Sequence, residues 1–205
     1  MNFTDGQTYI IIKDVITVIL TVYGMYLATR GLSTWREQMT GVKSFDTFYN
    51  LNYSLLKLRE AVKHVRNPAI WNAEFDRAIK YAKKKYPERM GDPEFEKNST
   101  KYVYEMRWEK IIDAYTEIES HQLAAEVLWG PDIVVKIKSL NDKINKLRIA
   151  LEQYLYPDIR VMKREEIDDI IYNRGNDIEY DDFGKEINKY IEDASSFIKE
   201  KLKHR

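Results

Sequence analysis

Apolar positions in this chain form one unbroken run and four periodic ones. The unbroken run is Tyr9 to Thr29, YIIIKDVITVILTVYGMYLAT, charged only at Lys13 and Asp14. About 20 apolar residues at a 1.5 Å rise match the hydrocarbon core of a bilayer, so the run predicts a transmembrane helix. Beyond it the pattern turns periodic. Phe48, Leu51, Leu55, Leu58, Val62 and Val65 recur every three or four residues. They predict a helix from Ser44, as N-cap, to Arg66, stopped by Asn67-Pro68. A second helix, about Thr100 to Trp129, carries Trp108, Ile111, Tyr115, Ile118, Gln122, Ala125 and Trp129 and ends at Gly130-Pro131. A third, Pro131 to Leu155, carries Ile133, Ile137, Leu140, Ile144, Leu147, Leu151 and Tyr154. A fourth, about Tyr180 to Leu202, carries Phe183, Ile187, Tyr190, Ala194 and Phe197. Weaker helices are expected at Ala73 to Lys85 and Val161 to Tyr172. Loops are expected at Pro87 to Ser99 and Asn173 to Tyr180, where glycine, proline, asparagine and charge cluster.

These elements predict an all-α chain, with one N-terminal transmembrane helix and an antiparallel cytoplasmic helical bundle. The division is a short extracytoplasmic tail (1–8), the transmembrane helix (9–35), a juxtamembrane connector (36–43) and the bundle (44–205). The short Gly130-Pro131 turn makes its two helices a hairpin. Tyr9, Arg30, Trp35 and Arg36 are the expected membrane-interface anchors. Only Asp5 precedes the run, whereas Arg30, Arg36 and Lys43 follow it. Basic residues stay cytoplasmic, so the N-terminus is expected outside. Lys13 and Asp14 lie close enough to Tyr9 to snorkel to that face. A cleaved signal peptide fits poorly, because no basic residue and no small-x-small site mark one. A buried core helix of a soluble bundle is the competing reading.

Within the run, Lys13, Thr17, Thr21, Gly24 and Ala28 share one side of a helix, with Asp14 at its border. Small and hydroxyl residues let membrane helices approach closely, so this side reads as a self-association seam. Threonine and glycine also occur in spans with no partner. Lys13 and Asp14 of neighbouring copies could pair across the seam.

Composition narrows the chemistry. Lys plus Arg and Asp plus Glu are both 33, so the net charge is zero and no global field attracts nucleic acid. With no cysteine there is no disulfide, thiolate metal site or cysteine nucleophile. Charged residues make up 32% and glycine and proline are few, which favours long helices. The chain lacks P-loop, Gly-x-Gly-x-x-Gly, Gly-x-Ser-x-Gly, His-Glu-x-x-His and EF-hand patterns. The four tryptophans sit on or beside helical seams or at the membrane border.

Three constellations remain. Arg59 and His64 have a spacing that resembles the arginine–histidine pair of the all-helical HEPN ribonucleases. In that family the pair acts on the ribose hydroxyl and the scissile phosphate. Glu60 follows the arginine where the family places Asn, Asp or His, and a solvated helix face is the preferred reading of these residues. Glu60/His64 and Glu117/His121 are two i, i+4 carboxylate–imidazole pairs, formally a metal set. Their positions off the apolar seams and the missing Glu-x-x-His spacing argue for no metal and no cofactor. Arg77, Lys80, Lys83, Lys84, Lys85 and Arg89 form a basic run, read as a solvated face or a contact for anionic lipid, with nucleic acid less favoured. A later acidic run is Glu165, Glu166, Asp168, Asp169, Asp177, Glu179, Asp181 and Asp182; it could meet the basic run of a neighbouring subunit.

Trp35-Arg-Glu-Gln-Met-Thr-Gly41 and Lys57-Leu-Arg-Glu-Ala-Val-Lys-His-Val-Arg-Asn-Pro68 resemble segments of a group of uncharacterised bacterial single-span membrane-anchored helical proteins. There a Trp-x-x-Gln motif follows the span, and a Lys-Leu-Arg-x-Ala segment ends in Arg-Asn-Pro. The resemblance implies a bacterial inner-membrane location and, by analogy, an effector or accessory role in antiviral defence. The function expected is non-enzymatic: membrane assembly as a homo-oligomer, coupling a cytoplasmic protein partner to the span. A passive tether for a partner enzyme and a HEPN-like ribonuclease are the rivals.

Overall fold

The computed structural model describes residues 3–172 and 181–203. Among them there are helices and connections and no strand. The α-helices are α1 (Phe3–Val65), α2 (Asn72–Lys85), α3 (Ser99–Trp129), α4 (Asp132–Leu155), α5 (Arg164–Ile171) and α6 (Asp182–Lys203). Short 3-10 turns occupy Pro87–Arg89, Glu96–Asn98 and Pro157–Ile159. The chain divides into two compact units, Met1–Phe45 and Asp46–Arg205.

The first unit is the N-terminal part of α1. Every residue from Tyr9 to Lys43 is exposed, including Ile10, Ile11, Ile12, Val18, Ile19, Leu20 and Val22. The helix is long and apolar enough to cross a membrane. No break separates the apolar run from the helix that follows it. Residues 36–43 are helical, and Ser44 is a buried position inside α1 rather than at a helix start. A glycine such as Gly41 costs a helix interior only about 1 kcal/mol, too little to end it.

In the second unit, Leu51, Leu55, Leu58, Val62 and Val65 of α1 bury against α3, α4, α5 and α6 in one core. α4 contributes Ile133, Ile137, Leu140, Ile144, Leu147 and Leu151, and α6 contributes Phe183, Ile187, Ile191, Ala194 and Ile198. A smaller cluster, Ala78, Ala82, Phe95, Tyr102 and Val103, fixes α2 on the N-terminal half of α3. Gly130 and Pro131 alone join α3 to α4. Gly130 has φ 86°, a left-handed conformation that favours glycine, and its N–H donates to Glu126 O at 2.8 Å.

The face of α3 differs from expectation. Val103, Arg107, Ile111, Ala114 and Ile118 are buried, whereas Trp108, Tyr115 and Gln122 are only half-buried. The aromatic rings drew the expected seam to one side of an arginine that faces inward. α5 starts at Arg164 rather than Val161. The buried Gln153 side chain accepts the N–H groups of Val161 and Met162, both at 2.8 Å, and holds them outside the helix. Trp71 lies on no seam; it is 73% exposed, and its carbonyl accepts the first N–H groups of α2.

Candidate functional site

Glu60 and His64 of α1 and Glu117 of α3 meet at a surface groove of about 530 Å³ in the second unit. Tyr53, Lys57, Glu60 and His64 lie three or four apart on α1 and form one wall. Lys110, Asp113 and Glu117 of α3 form the other. These positions flank the apolar seams, so packing the seams together leaves their polar neighbours on facing rims. Glu60, His64 and Glu117 therefore share the groove, while His121 is outside its lining.

Two carboxylates there, Glu60 and Glu117, are ion-paired. Lys57 Nζ donates to Glu117 Oε1 at 2.7 Å, and Ser54 Oγ donates to Glu117 Oε2 at 3.3 Å. Glu60 accepts from Lys63 at 3.0 Å and from Arg59 Nε at 3.2 Å. Arg59 is thus engaged beside Glu60 and does not line the groove with His64. His64 Nε2 is 3.7 Å from Glu74 Oε1. Partial burial, then the charges of Lys110 and Arg107, push the His64 pKa below its ordinary value, favouring the neutral ring. Among the described residues no three His, Asp or Glu side chains gather as a metal-binding group. The groove offers a neutral imidazole and the Lys110 ammonium beside paired charges, an arrangement suited to hydrogen-bonded recognition.

Two buried arginines went unmarked in the sequence. Arg107 of α3 grips Glu74 of α2 with both carboxylate oxygens, Nε–Oε1 at 2.7 Å and Nη2–Oε2 at 2.8 Å. It also donates to Asn67 O at 2.6 Å and Ala69 O at 2.9 Å, which ties down the connection between α1 and α2. Arg66, at the end of α1, donates to Asp181 (Nη2–Oδ1 2.7 Å, Nη1–Oδ2 3.0 Å) and to the carbonyls of Ile170, Asp169 and Tyr172. Its guanidinium lies 5.1 Å from the Phe183 ring centroid. Burial alone would raise the Asp181 pKa, but Arg66 and the Gly184 N–H outweigh it and hold the carboxyl below its usual range. A side chain on Gly184 would bring its Cβ within 2.7 Å of Arg66 Nη1. The available signal for Arg107 was its spacing, four residues from both Val103 and Ile111.

The remaining candidates are dispersed. On α2, Lys85 pairs with Glu109, and in the following 3-10 turn Arg89 pairs with Asp92; Arg77, Lys80, Lys83 and Lys84 are exposed, with no ion pair among the described residues. Tyr81 donates to Glu109, and burial followed by this bond pushes its pKa up to about 12. Four members of the acidic run pair within the chain: Glu166 with Lys146, Asp168 with Arg164, Asp181 with Arg66 and Asp182 with Lys185. Asp177 and Glu179 lie outside the described residues. In the first unit, Thr17 Oγ1 donates to Lys13 O at 2.9 Å and Thr21 Oγ1 to Thr17 O at 2.8 Å, so both hydroxyls are satisfied within their own helix. Asp14, Gly24 and Ala28 are exposed, and Gly24 has open space around it. Tyr9, Arg30, Trp35 and Arg36 are exposed, with Arg30 Nη1 3.3 Å from Tyr26 OH.

Comparison of the chain with protein-family models, with curated proteins and with solved structures finds no match.

Proposed function

We propose that this chain is a membrane-anchored, non-enzymatic assembly protein, self-associating through the span and presenting an antiparallel helical bundle to a cytoplasmic protein partner. The carrying observation is α1 itself. One helix bears a fully exposed apolar run and then the leucines and valines that build the core of the second unit. An exposed run of that length is costly in water and favourable in lipid. Arg30, Arg36 and Lys43 after the run favour a cytoplasmic bundle and an outside N-terminus; a bacterial inner membrane is what the resemblance of the Trp35–Gly41 and Lys57–Pro68 segments implies. Supporting the partner-binding half are three exposed apolar residues on the two helices that the α3–α4 turn joins: Leu123 at 66%, Val127 at 87% and Val135 at 65%.

The self-association seam is the Thr17, Thr21, Gly24, Ala28 side. With the threonine hydroxyls bonded to their own backbone, close packing at Gly24 carries the contact. The test is the mass of the full-length protein in mild detergent, beside a Thr21→Leu/Gly24→Leu double variant. A discrete oligomer that falls to monomer in the variant is expected. A monomeric parent would sink the assembly reading and leave a passive tether.

A further inference from the structure

We propose that the outward face of α2 rests on the headgroups of an anionic membrane leaflet, with Arg77, Lys80, Lys83 and Lys84 as its contacts. The inference rests on the membrane-anchored reading above and adds a second, reversible attachment made by the second unit. Packing fixes which way α2 faces. Ala78 and Ala82 are fully buried with Phe95, Tyr102 and Val103, and Phe75 and Ile79 pack on the same cluster. Ala73, Arg77, Lys80 and Lys84 recur at four, three and four positions on the opposite side, with Lys83 at their border, and all five are exposed.

The six bases of the run are not equivalent. Lys85 is engaged with Glu109 and Arg89 with Asp92, whereas the other four have no ion pair among the described residues. Asp76 is the one exposed acid on α2, because Glu74 is buried against Arg107. A chain of zero net charge thus places four uncompensated cations within about two turns of one helix. The apolar side of α2 is occupied by α3, so the contact is electrostatic and leaves the helix on the headgroups rather than among the acyl chains.

Charge and magnitude select the occupant. Each Lys or Arg near an anionic leaflet strengthens attachment about fivefold, so four give on the order of 10³. Binding of that size is about millimolar for a partner free in solution. A net charge of zero supplies no long-range steering toward a polyanion, so nucleic acid and soluble acidic proteins are held weakly. A leaflet differs, because on the anchored reading the apolar run already keeps the chain there and the second contact is intramolecular. Trp71, 73% exposed at the start of α2, adds an aromatic side chain of the kind that favours the membrane interface.

The chain has no cysteine, so one introduced thiol reports from one place. The full chain carrying Ala73→Cys is labelled with a fluorophore and reconstituted into phosphatidylcholine vesicles, with or without phosphatidylserine, that contain a headgroup-nitroxide lipid as short-range quencher. Ser196→Cys, exposed on α6, is the control. Quenching at Ala73→Cys is expected to be about threefold greater with phosphatidylserine, and to fall to the neutral-lipid level when salt is raised to about 0.5 M. The Arg77→Gln/Lys80→Gln/Lys83→Gln/Lys84→Gln variant should give the neutral-lipid level at any salt. Glutamine keeps helix propensity and no buried residue changes, so that variant folds. Equal quenching in the two lipids overturns the proposal, as does an equal rise at Ser196→Cys. Either result, in protein that floats with both kinds of vesicle, leaves the span intact; protein that floats with neither overturns the anchored reading as well. A fluorescence change on adding short RNA, with none on adding phosphatidylserine, assigns the face to nucleic acid and overturns the lipid contact.

Discussion

Arg107 has a hydrophobic address and an ionic content. It is 1% exposed, and its partner Glu74 is 4% exposed. Their attraction is offset by the loss of hydration, so the pair as a whole contributes little net stability; removing one member is what is costly. Glu74→Ala leaves a buried guanidinium with only the Asn67 and Ala69 carbonyls. The expected loss is about 3–5 kcal/mol. Replacing both, Arg107→Met with Glu74→Leu, should cost far less. Chemical denaturation in detergent, followed by tryptophan fluorescence, separates the two outcomes, and equal losses would mean the pair is not electrostatically coupled. The i, i+4 pairs Glu60/His64 and Glu117/His121 were visible in the sequence, whereas this pair was not. Arg107 and Glu74 sit on different helices, and no local spacing connects them.

At the scale of elements, helix boundaries followed local chemistry closely. Asn67-Pro68, Gly130-Pro131 and Pro157 each stop a helix where a missing N–H or a left-handed turn demands it. Besides the late start of α5 at Arg164, the exception is α1, expected to break near Gly41 and Ser44. Propensity alone at those residues is worth about 1 kcal/mol, and an otherwise continuous helix absorbs that. The start of α6 depends on something no propensity scale contains. Gly184 lies in its first turn against Arg66, and its N–H donates to Asp181 Oδ1 at 3.0 Å. Gly184→Ala would normally gain helix propensity. Here the methyl meets the Asp181 carboxylate and Arg66 Nη1, so the expected result is a loss of about 1–3 kcal/mol. An unchanged or raised denaturation midpoint would show that the Arg66–Asp181 pair yields without cost.

For the whole molecule, ionisation sets an acid limit on the second unit. Hydrogen bonding from Arg107 holds the Glu74 carboxyl below its ordinary value, and Arg66 does so for Asp181 against the opposing effect of burial. A carboxyl depressed in the folded state stabilises fully above its unfolded pKa, and loses that contribution as pH falls through the folded value. The melting temperature should therefore fall steeply below about pH 4. His64 adds an earlier, shallower decline. Its pKa is depressed mainly by burial, so the unfolded chain binds its proton first and stability drops as pH falls below about 6.5. His64→Asn should remove that shallow limb and leave the steep one. A melting temperature flat from pH 7 to pH 3 would contradict both.

What the sequence determined by itself is what depends on neighbours along the chain. The helical class, the apolar run, the stops and the leucine–valine seam of α1 come from periods of three, four and seven and from single turn residues. The tertiary structure decided the rotational phase of each helix and what meets across the gap. It turned Arg107 inward in place of Trp108, joined Arg66 to Asp181 across 115 positions, and set Glu60 and His64 on the same groove as Glu117. The physical reason is that a local period fixes which residues share a face. It does not fix which face of another helix lies opposite, because that is chosen by the best packing of all the faces at once.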